Sequence, residues 1–537
     1  MQYLDFLKKN WIVFFIFFIL IFIIYGQSLS GDFVFDDRNI IEHLPVLSDI
    51  KNIDQIALHP FWTTENGLYR PTTLLSYSFN IALLGTSAFS FHLLNLLLYV
   101  FICFLIYLII KKLFQNELLA FITALLFLVL PIHTEVVANI SGRGELLALF
   151  FSLLFFWELI KEKINFYLLF LWTLLALGSK EIAIAIFPIM FLILLIKEKN
   201  INIEILKKHF KNISASIIAI CFYFFLRFFS LGINTFPEIK TSLIENPLLF
   251  TDTTSRIATA FKILWLYFEK TFWPIGLCSD YSYNQIPIIH NFVNLEVILG
   301  VIIFSFSIIL LVYFLKKKPL ISLGLGIFIF SFLIISNIIF PIGTIMGERL
   351  FFFPSLGLSL IFAFIFYQIL IILKNKNTQI AWLVLLTIAL IIYGAISLKR
   401  QSVWLSEENL FLSAAQCAPN SVLSRSNSGA IYLIKGDLDK AEEELKTAIN
   451  IKPIYSKGLN NLGLLYHQQG KTEQARELYL EAIKQDFPYG GAFENLIMLY
   501  LNENKIDLAK HWLTYLYGDN EQLVDTIVES YLKEYKQ

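Results

Sequence analysis

The feature that most constrains this chain is a series of long apolar runs, dense in Phe, Ile and Leu, that recurs through its first 400 residues. The runs fall near 11–25, 90–110, 118–131, 145–160, 165–178, 182–196, 213–230, 296–315, 320–340, 349–373 and 380–398. Of all residues, 57% are hydrophobic and 16% charged, against roughly 45–50% and 25% in an ordinary soluble domain. One water-soluble core cannot hide so much apolar surface, so the bilayer has to act as solvent. A spanning helix needs about 20 residues, and the shorter runs therefore extend into their flanks. The expected fold is all-α, a polytopic transmembrane helix bundle of about eleven spans.

Lysines orient the bundle. They cluster at Lys8/Lys9, Lys111/Lys112, Lys161/Lys163, Lys197 through Lys211, Lys316/Lys317/Lys318 and Lys374/Lys376. With eleven spans, all of these clusters fall on one side, which the positive-inside rule makes cytoplasmic. The segment 257–275 contains Lys262, Glu269 and Lys270 and ends at Trp273-Pro274. It reads as an interfacial or re-entrant helix, because a further span there would move the triple lysine outside. The odd span count puts the C-terminus on the outer face. Residues 11–25 follow Lys8 and Lys9 and imitate a signal peptide, but the polytopic pattern downstream favours an uncleaved first helix. Net charge is zero, which argues against nucleic acid as a partner. Cys103, Cys221, Cys278 and Cys417 lack metal-ligand spacing and read as isolated thiols.

After residue 400 the composition turns polar and a period of 34 residues appears. Asn427, Asn461 and Asn495 follow it, as do Tyr432, Tyr466 and Tyr500, and Ala441, Ala475 and Ala509. Pro453 closes the first unit and Phe487-Pro488 nearly closes the second. Period and small residues match the tetratricopeptide repeat, a helical hairpin that stacks into a solenoid. The division expected is a membrane domain over 1–400 with a long outer loop at 26–89, a linker helix at 401–419, and a soluble α-solenoid of about three repeats within 420–537. Such a solenoid offers a groove for an acceptor or partner protein.

The loops opposite the lysines carry the chemistry. Asp36-Asp37 follows the first span, and adjacent carboxylates at a membrane surface suit a general base beside a group that orients a sugar or a cation. Arg143, Lys180 and Arg349 stand at span ends where a lipid phosphate would lie, and cations there suit a phosphate leaving group. Arg70, His133, Glu135, Glu181, Asp280, Tyr281 and Glu348 complete the set as candidates for the substrate pocket. His133 and Glu135 leave room for a divalent cation, but one imidazole and one carboxylate do not define a metal site; no other cofactor is indicated. The mid-span positions hold almost no ionisable residue, unlike a transporter with its site at the midplane.

Several of these elements recur together and in order: Phe35-Asp36-Asp37, Tyr69-Arg70-Pro71, Phe91-His92-Leu93-Leu94-Asn95, Pro131-Ile132-His133-Thr134-Glu135 with Gly142-Arg143, Lys180-Glu181, Asp280-Tyr281, and Glu348-Arg349 leading to Pro354-Ser355-Leu356-Gly357. In them the chain resembles the transmembrane and tetratricopeptide-repeat-containing O-mannosyltransferases, of the GT-C superfamily of glycosyltransferases. The resemblance implies transfer of a sugar from a polyprenyl-phosphate donor to a hydroxyl acceptor on the outer face, whether protein Ser/Thr or a glycan or lipid. An acidic residue of the first outer loop is essential in that superfamily, which maps onto Asp36 or Asp37. Direct displacement would invert the anomeric centre. The repeat array is shorter than in animal members, and the Lys-, Ile- and Asn-rich composition suits a bacterial relative. The competing expectation is a non-enzymatic membrane scaffold, or a carrier-lipid transporter, that uses its repeats to gather partners.

Overall fold

A computed structural model describes residues 2–62, 68–198, 204–232, 242–485, 490–518 and 520–535. No strand occurs among the described residues, and the chain forms two compact helical units. The first comprises residues 1–279 and 288–410; the second comprises 280–287 and 411–537.

Each of the eleven apolar runs is helical in the first unit. Seven helices are long and apolar enough to cross a bilayer alone, or eight if the bent pair Glu117–Val129 and Pro131–Ala138, turned by 57° at Leu130, counts as one. Phe166–Ser179 and Pro319–Ile335 are apolar but shorter. Outward faces confirm the solvent. Ile302, Phe306 and Ile309 of Leu295–Lys317, and Leu385, Ile388 and Ile391 of Lys376–Arg400, are exposed. Water would not tolerate such stripes; acyl chains do. The chain is a multi-pass membrane protein. The segment read as interfacial is the helix Thr253–Phe272, which is not among those seven and packs on Leu295–Lys317.

Without a hydrophobic force between helices in lipid, close approach of backbones holds them together. Pro319–Ile335 and Phe352–Ile372 cross at Gly324 and Gly357. A Cβ on Gly357 would lie 2.2 Å from the Gly324 carbonyl oxygen and 2.6 Å from the Phe328 nitrogen. Only glycine fits there.

Three helical hairpins build the second unit: Val422–Ile434 with Leu438–Ile451, Ser456–Gln468 with Thr472–Gln485, and Gly490–Asn502 with Ile506–Tyr517. Glu521–Tyr535 packs on the last. The 34-residue alanines Ala441, Ala475 and Ala509 are fully buried between paired helices, where a larger side chain would force them apart. Phe487-Pro488 lies outside the described residues. Cys103 and Cys221 are free thiols as expected, whereas Cys278 and Cys417, also read as isolated thiols, are disulfide-bonded.

The glycine crossing gives a prediction. Gly357→Ala should lower the thermal midpoint of the detergent-purified protein by the equivalent of about 1–3 kcal/mol, the usual cost of overpacking, while Gly26→Ala, where nothing lies within 4 Å of the new Cβ, should not. Equal midpoints would mean that the two helices separate freely.

Candidate functional site

After the first helix, Gln2–Tyr25, the chain makes a short turn at Gly26–Ser30 and reverses at Val34–Asp37. The Asp37 N–H donates to the Val34 carbonyl at 3.0 Å, and Asp37 Oδ2 accepts the Val34 N–H at 3.2 Å. Phe35 within this turn has φ of +50°, a left-handed conformation rare for a bulky residue. The adjacent aspartates then meet different surroundings. Asp37 is fully buried, and its second oxygen accepts the Ser141 N–H at 2.8 Å, tying the loop after the first helix to the turn at Ile140–Gly142. Burial pushes the Asp37 carboxyl up to about 8, against the pull of the Val34 and Ser141 N–H groups. Asp36 keeps 17% of its side chain exposed, and Oδ2 stands 3.7 Å from Arg349 Nη1. Burial raises the Asp36 carboxyl above its ordinary range; Arg349 opposes the rise and Glu145 adds to it.

Arg349 stands on the turn Glu348–Phe351 that opens the helix Phe352–Ile372, so the glycine crossing also sets its height. Its backbone N–H donates to Glu135 Oε2 at 2.9 Å and its Nη1 to Glu135 Oε1 at 3.2 Å. One carboxylate thus grips both ends of the residue. Among the described residues, Nε and Nη2 make no hydrogen bond. Lys180 is ion-paired with Glu145, and both line a small cavity with Arg349, Leu350, Phe352 and Phe353. Burial pulls the Lys180 ammonium below the ordinary lysine range; Glu145 opposes this, and Arg70 and Arg349 reinforce it. Arg70 meets Glu181 through Nε at 3.1 Å and Nη2 at 2.9 Å, and Arg227 stands 3.7 Å from the same carboxylate. Four carboxylates (Asp36, Glu135, Glu145, Glu181) and four cations (Arg70, Lys180, Arg227, Arg349) thus form three ion-paired groups.

Other expected site residues have different partners. Arg143, placed by sequence beside the donor phosphate, is fully buried between the rings of Tyr77 and Phe91, and it donates from Nε to Asn95 at 2.8 Å and from Nη2 to the Phe91 carbonyl at 2.7 Å. Asn95 Nδ2 reaches the Asn139 carbonyl at 3.1 Å, so the pair braces the same turn that Asp37 holds. A Cβ on Gly142 in that turn would meet the Val136 oxygen at 2.2 Å. His133 is buried, with Nδ1 3.0 Å from the Tyr99 hydroxyl and Nε2 2.7 Å from the Ser355 hydroxyl. Its neighbour Glu135 is engaged by Arg349, and no cluster of three or more metal-binding side chains occurs among the described residues. Glu348 points away from Arg349: it pairs with Arg400 at 3.1 Å and accepts the Cys278 N–H at 2.5 Å. Asp280 and Tyr281 belong to the second unit, where Asp280 Oδ2 accepts from the hydroxyls of Ser282, Ser421 and Ser424.

Sequence reasoning passed over Glu145, Arg227 and Asn95 as participants. Glu145 stands two residues after Arg143 and Asn95 ends the Phe91–Asn95 element, yet the roles of Asn95 and Arg227 come from contacts 48 and 46 residues along the chain.

Comparison with known proteins places these loops in a wider group. Residues 429–470 match the TPR repeat family and 456–487 the tetratricopeptide repeat. Protein O-mannosyl-transferase F38B6.6 of Caenorhabditis elegans is 29% identical over 444 residues, covering 81% of this chain and 62% of that protein. Protein O-mannosyl-transferase TMTC4 of Mus musculus is 30% identical, covering 75% and 62%, and TMTC1 of Homo sapiens is 27% identical, covering 81% and 55%. The homologues of this chain are TMTC-type protein O-mannosyl-transferases. The chain spans between half and two thirds of the length of these relatives.

The two roles of the aspartates separate by stability. Asp37→Ala strands the Val34 and Ser141 N–H groups and should cost about 1–3 kcal/mol for each, seen as a lower thermal midpoint; Asp37→Asn keeps an acceptor oxygen and should restore part. Asp36→Asn should leave the midpoint nearly unchanged. A larger loss at Asp36 than at Asp37 would reverse the assignment.

Proposed function

We propose that this chain is a membrane mannosyltransferase that moves the sugar from a polyprenyl-phosphate donor to a protein hydroxyl at the extracytoplasmic face. The observation that carries the reading is the placement of Asp36 beside Arg349, with Lys180 on the same cavity. A carboxylate that can take a proton lies next to cations that can take a leaving phosphate. The names of the relatives support mannose and a protein acceptor, and the repeat unit supports a site for the acceptor or a partner protein.

In this chemistry Asp36 removes the proton of the acceptor hydroxyl while its oxygen bonds to the anomeric carbon. The bond from that carbon to the phosphate oxygen breaks, the phosphate keeps the electron pair, and the centre inverts. Arg349 presents its unengaged Nε and Nη2 to the departing phosphate, and Lys180 turns to it from Glu145. Arg70 is held by Glu181, the neighbour of Lys180 in the chain, and Asp37, Asn95 and Arg143 position the loops. Arg143 therefore supports the phosphate grip from behind rather than joining it. Sidedness rests on the six lysine clusters at the opposite ends of the helices. The bonded Cys278 and Cys417 also suit an oxidising compartment.

The test is sugar transfer by purified, inserted protein, with a panel of polyprenyl-phosphate sugars and a Ser/Thr peptide. Asp36→Asn should lower transfer by about 10²–10⁴-fold. Arg349→Ala should cost roughly one to two decades, from about 1.5–3 kcal/mol per charge-assisted bond, and Arg349→Lys should recover part. Wild-type turnover in Asp36→Asn would remove the base from this reading.

The pH profile is an independent check. Asp36 acts only when ionised and its carboxyl is raised, so transfer should climb with pH along an acid limb lying above the ordinary aspartate value of about 3.9. A limb at or below that value would point to a different group.

A further inference from the structure

The lysine-bearing ends of the helices border an open cavity of about 750 Å³, far larger than the one at the ion pairs. Its walls are Leu113 of Ala88–Phe114, the half-buried Leu195 and Ile196 of Ile186–Glu198, and Phe364 and Tyr367 of Phe352–Ile372. Its mouth is the turn between Leu295–Lys317 and Pro319–Ile335, where Lys316, Lys317 and Lys318 stand in succession, all exposed. None of the described residues lining it is acidic, and Glu117 nearby is paired with Lys111 at 2.5 Å. Lys317 lies over the Tyr313 ring at 3.9 Å and Lys318 over Phe364 at 6.0 Å, which holds their charges at the rim.

We propose that this cavity binds an anionic glycerophospholipid from the adjacent leaflet, with the headgroup phosphate on Lys316–Lys318 and one acyl chain against Leu113, Leu195 and Ile196. Two features favour a lipid over a soluble anion. The rim charges sit where spanning helices end, at headgroup depth, and lysines there attract anionic lipid strongly. Below the rim the walls are aliphatic and aromatic, and a free phosphate would leave that volume without a partner. The site lies at the opposite helix ends from Asp36 and Arg349, so it needs nothing from the proposed transfer chemistry.

The experiment uses the full chain purified in a neutral detergent, with bound lipid counted by native mass spectrometry. Three probes are added separately: dioleoylphosphatidylglycerol, dioleoylphosphatidylcholine and inorganic phosphate. Phosphatidylglycerol should be retained about tenfold or more over phosphatidylcholine, given three lysines at the rim, and inorganic phosphate should not displace it. K316Q/K317Q/K318Q should abolish the preference, and K316R/K317R/K318R should keep it. Leu195→Trp, which fills the aliphatic part and leaves the charges, should reduce retention of phosphatidylglycerol in protein of unchanged thermal midpoint. Equal retention of phosphatidylglycerol by wild type and the triple Gln variant would overturn the proposal, as would displacement by inorganic phosphate or full retention by Leu195→Trp.

Discussion

Charge at the edge of an apolar bundle persists only when it is compensated, and the first unit is arranged around that requirement. Asp36 and Glu135 share Arg349, Glu145 takes Lys180, and Glu181 takes Arg70 and Arg227. Removing Lys180 from Glu145 would strand a buried charge, at several kcal/mol, whereas Arg349 keeps Glu135 when Asp36 is neutralised. The loops that carry these groups therefore cannot drift independently, since each holds a charge that another neutralises. Short helices, tight turns and a bent pair in place of smooth connections all follow from the need to bring these groups to the same place.

Much of the architecture was legible because apolar runs and a 34-residue period are properties of local sequence. All eleven runs became helices and the repeats became hairpins. The candidate site was legible as a set of loops rather than as a set of roles. Asp36 and Asp37 are chemically identical neighbours; the left-handed Phe35, the Ser141 N–H on Asp37 and Arg349 beside Asp36 tell them apart. Arg143 has the same composition-level signature as Arg349, a cation at the start of an apolar helix. Its burial between two rings depends on Tyr77 and Phe91, which no spacing rule connects to it.

The repeat unit takes in a short piece of chain from far outside the repeats. Asp280 lies between two segments of the membrane portion of the sequence, so a role at the membrane surface was the natural expectation. Residues 280–287 fold with the repeats: the Tyr283 carbonyl accepts the Val422 N–H at 2.7 Å while Asp280 collects serine hydroxyls around the start of the same helix. The first repeat helix is thus anchored by a piece of chain from well before the repeats begin.

The contact between Gly324 and Gly357 has a consequence for genetics. Arg349 rides on the helix that Gly357 docks, and Glu135 clamps it at both backbone and side chain. A single added methyl group at that contact would tilt or lift the guanidinium without altering any ionisable residue. An allele of this kind would produce protein that still reaches the membrane with every charged group present, and yet score in an assay as a lesion of the reaction centre. Screens that rank variants by chemical severity would place Gly-to-Ala among the mildest changes, and would overlook the position in this bundle where it is among the harshest.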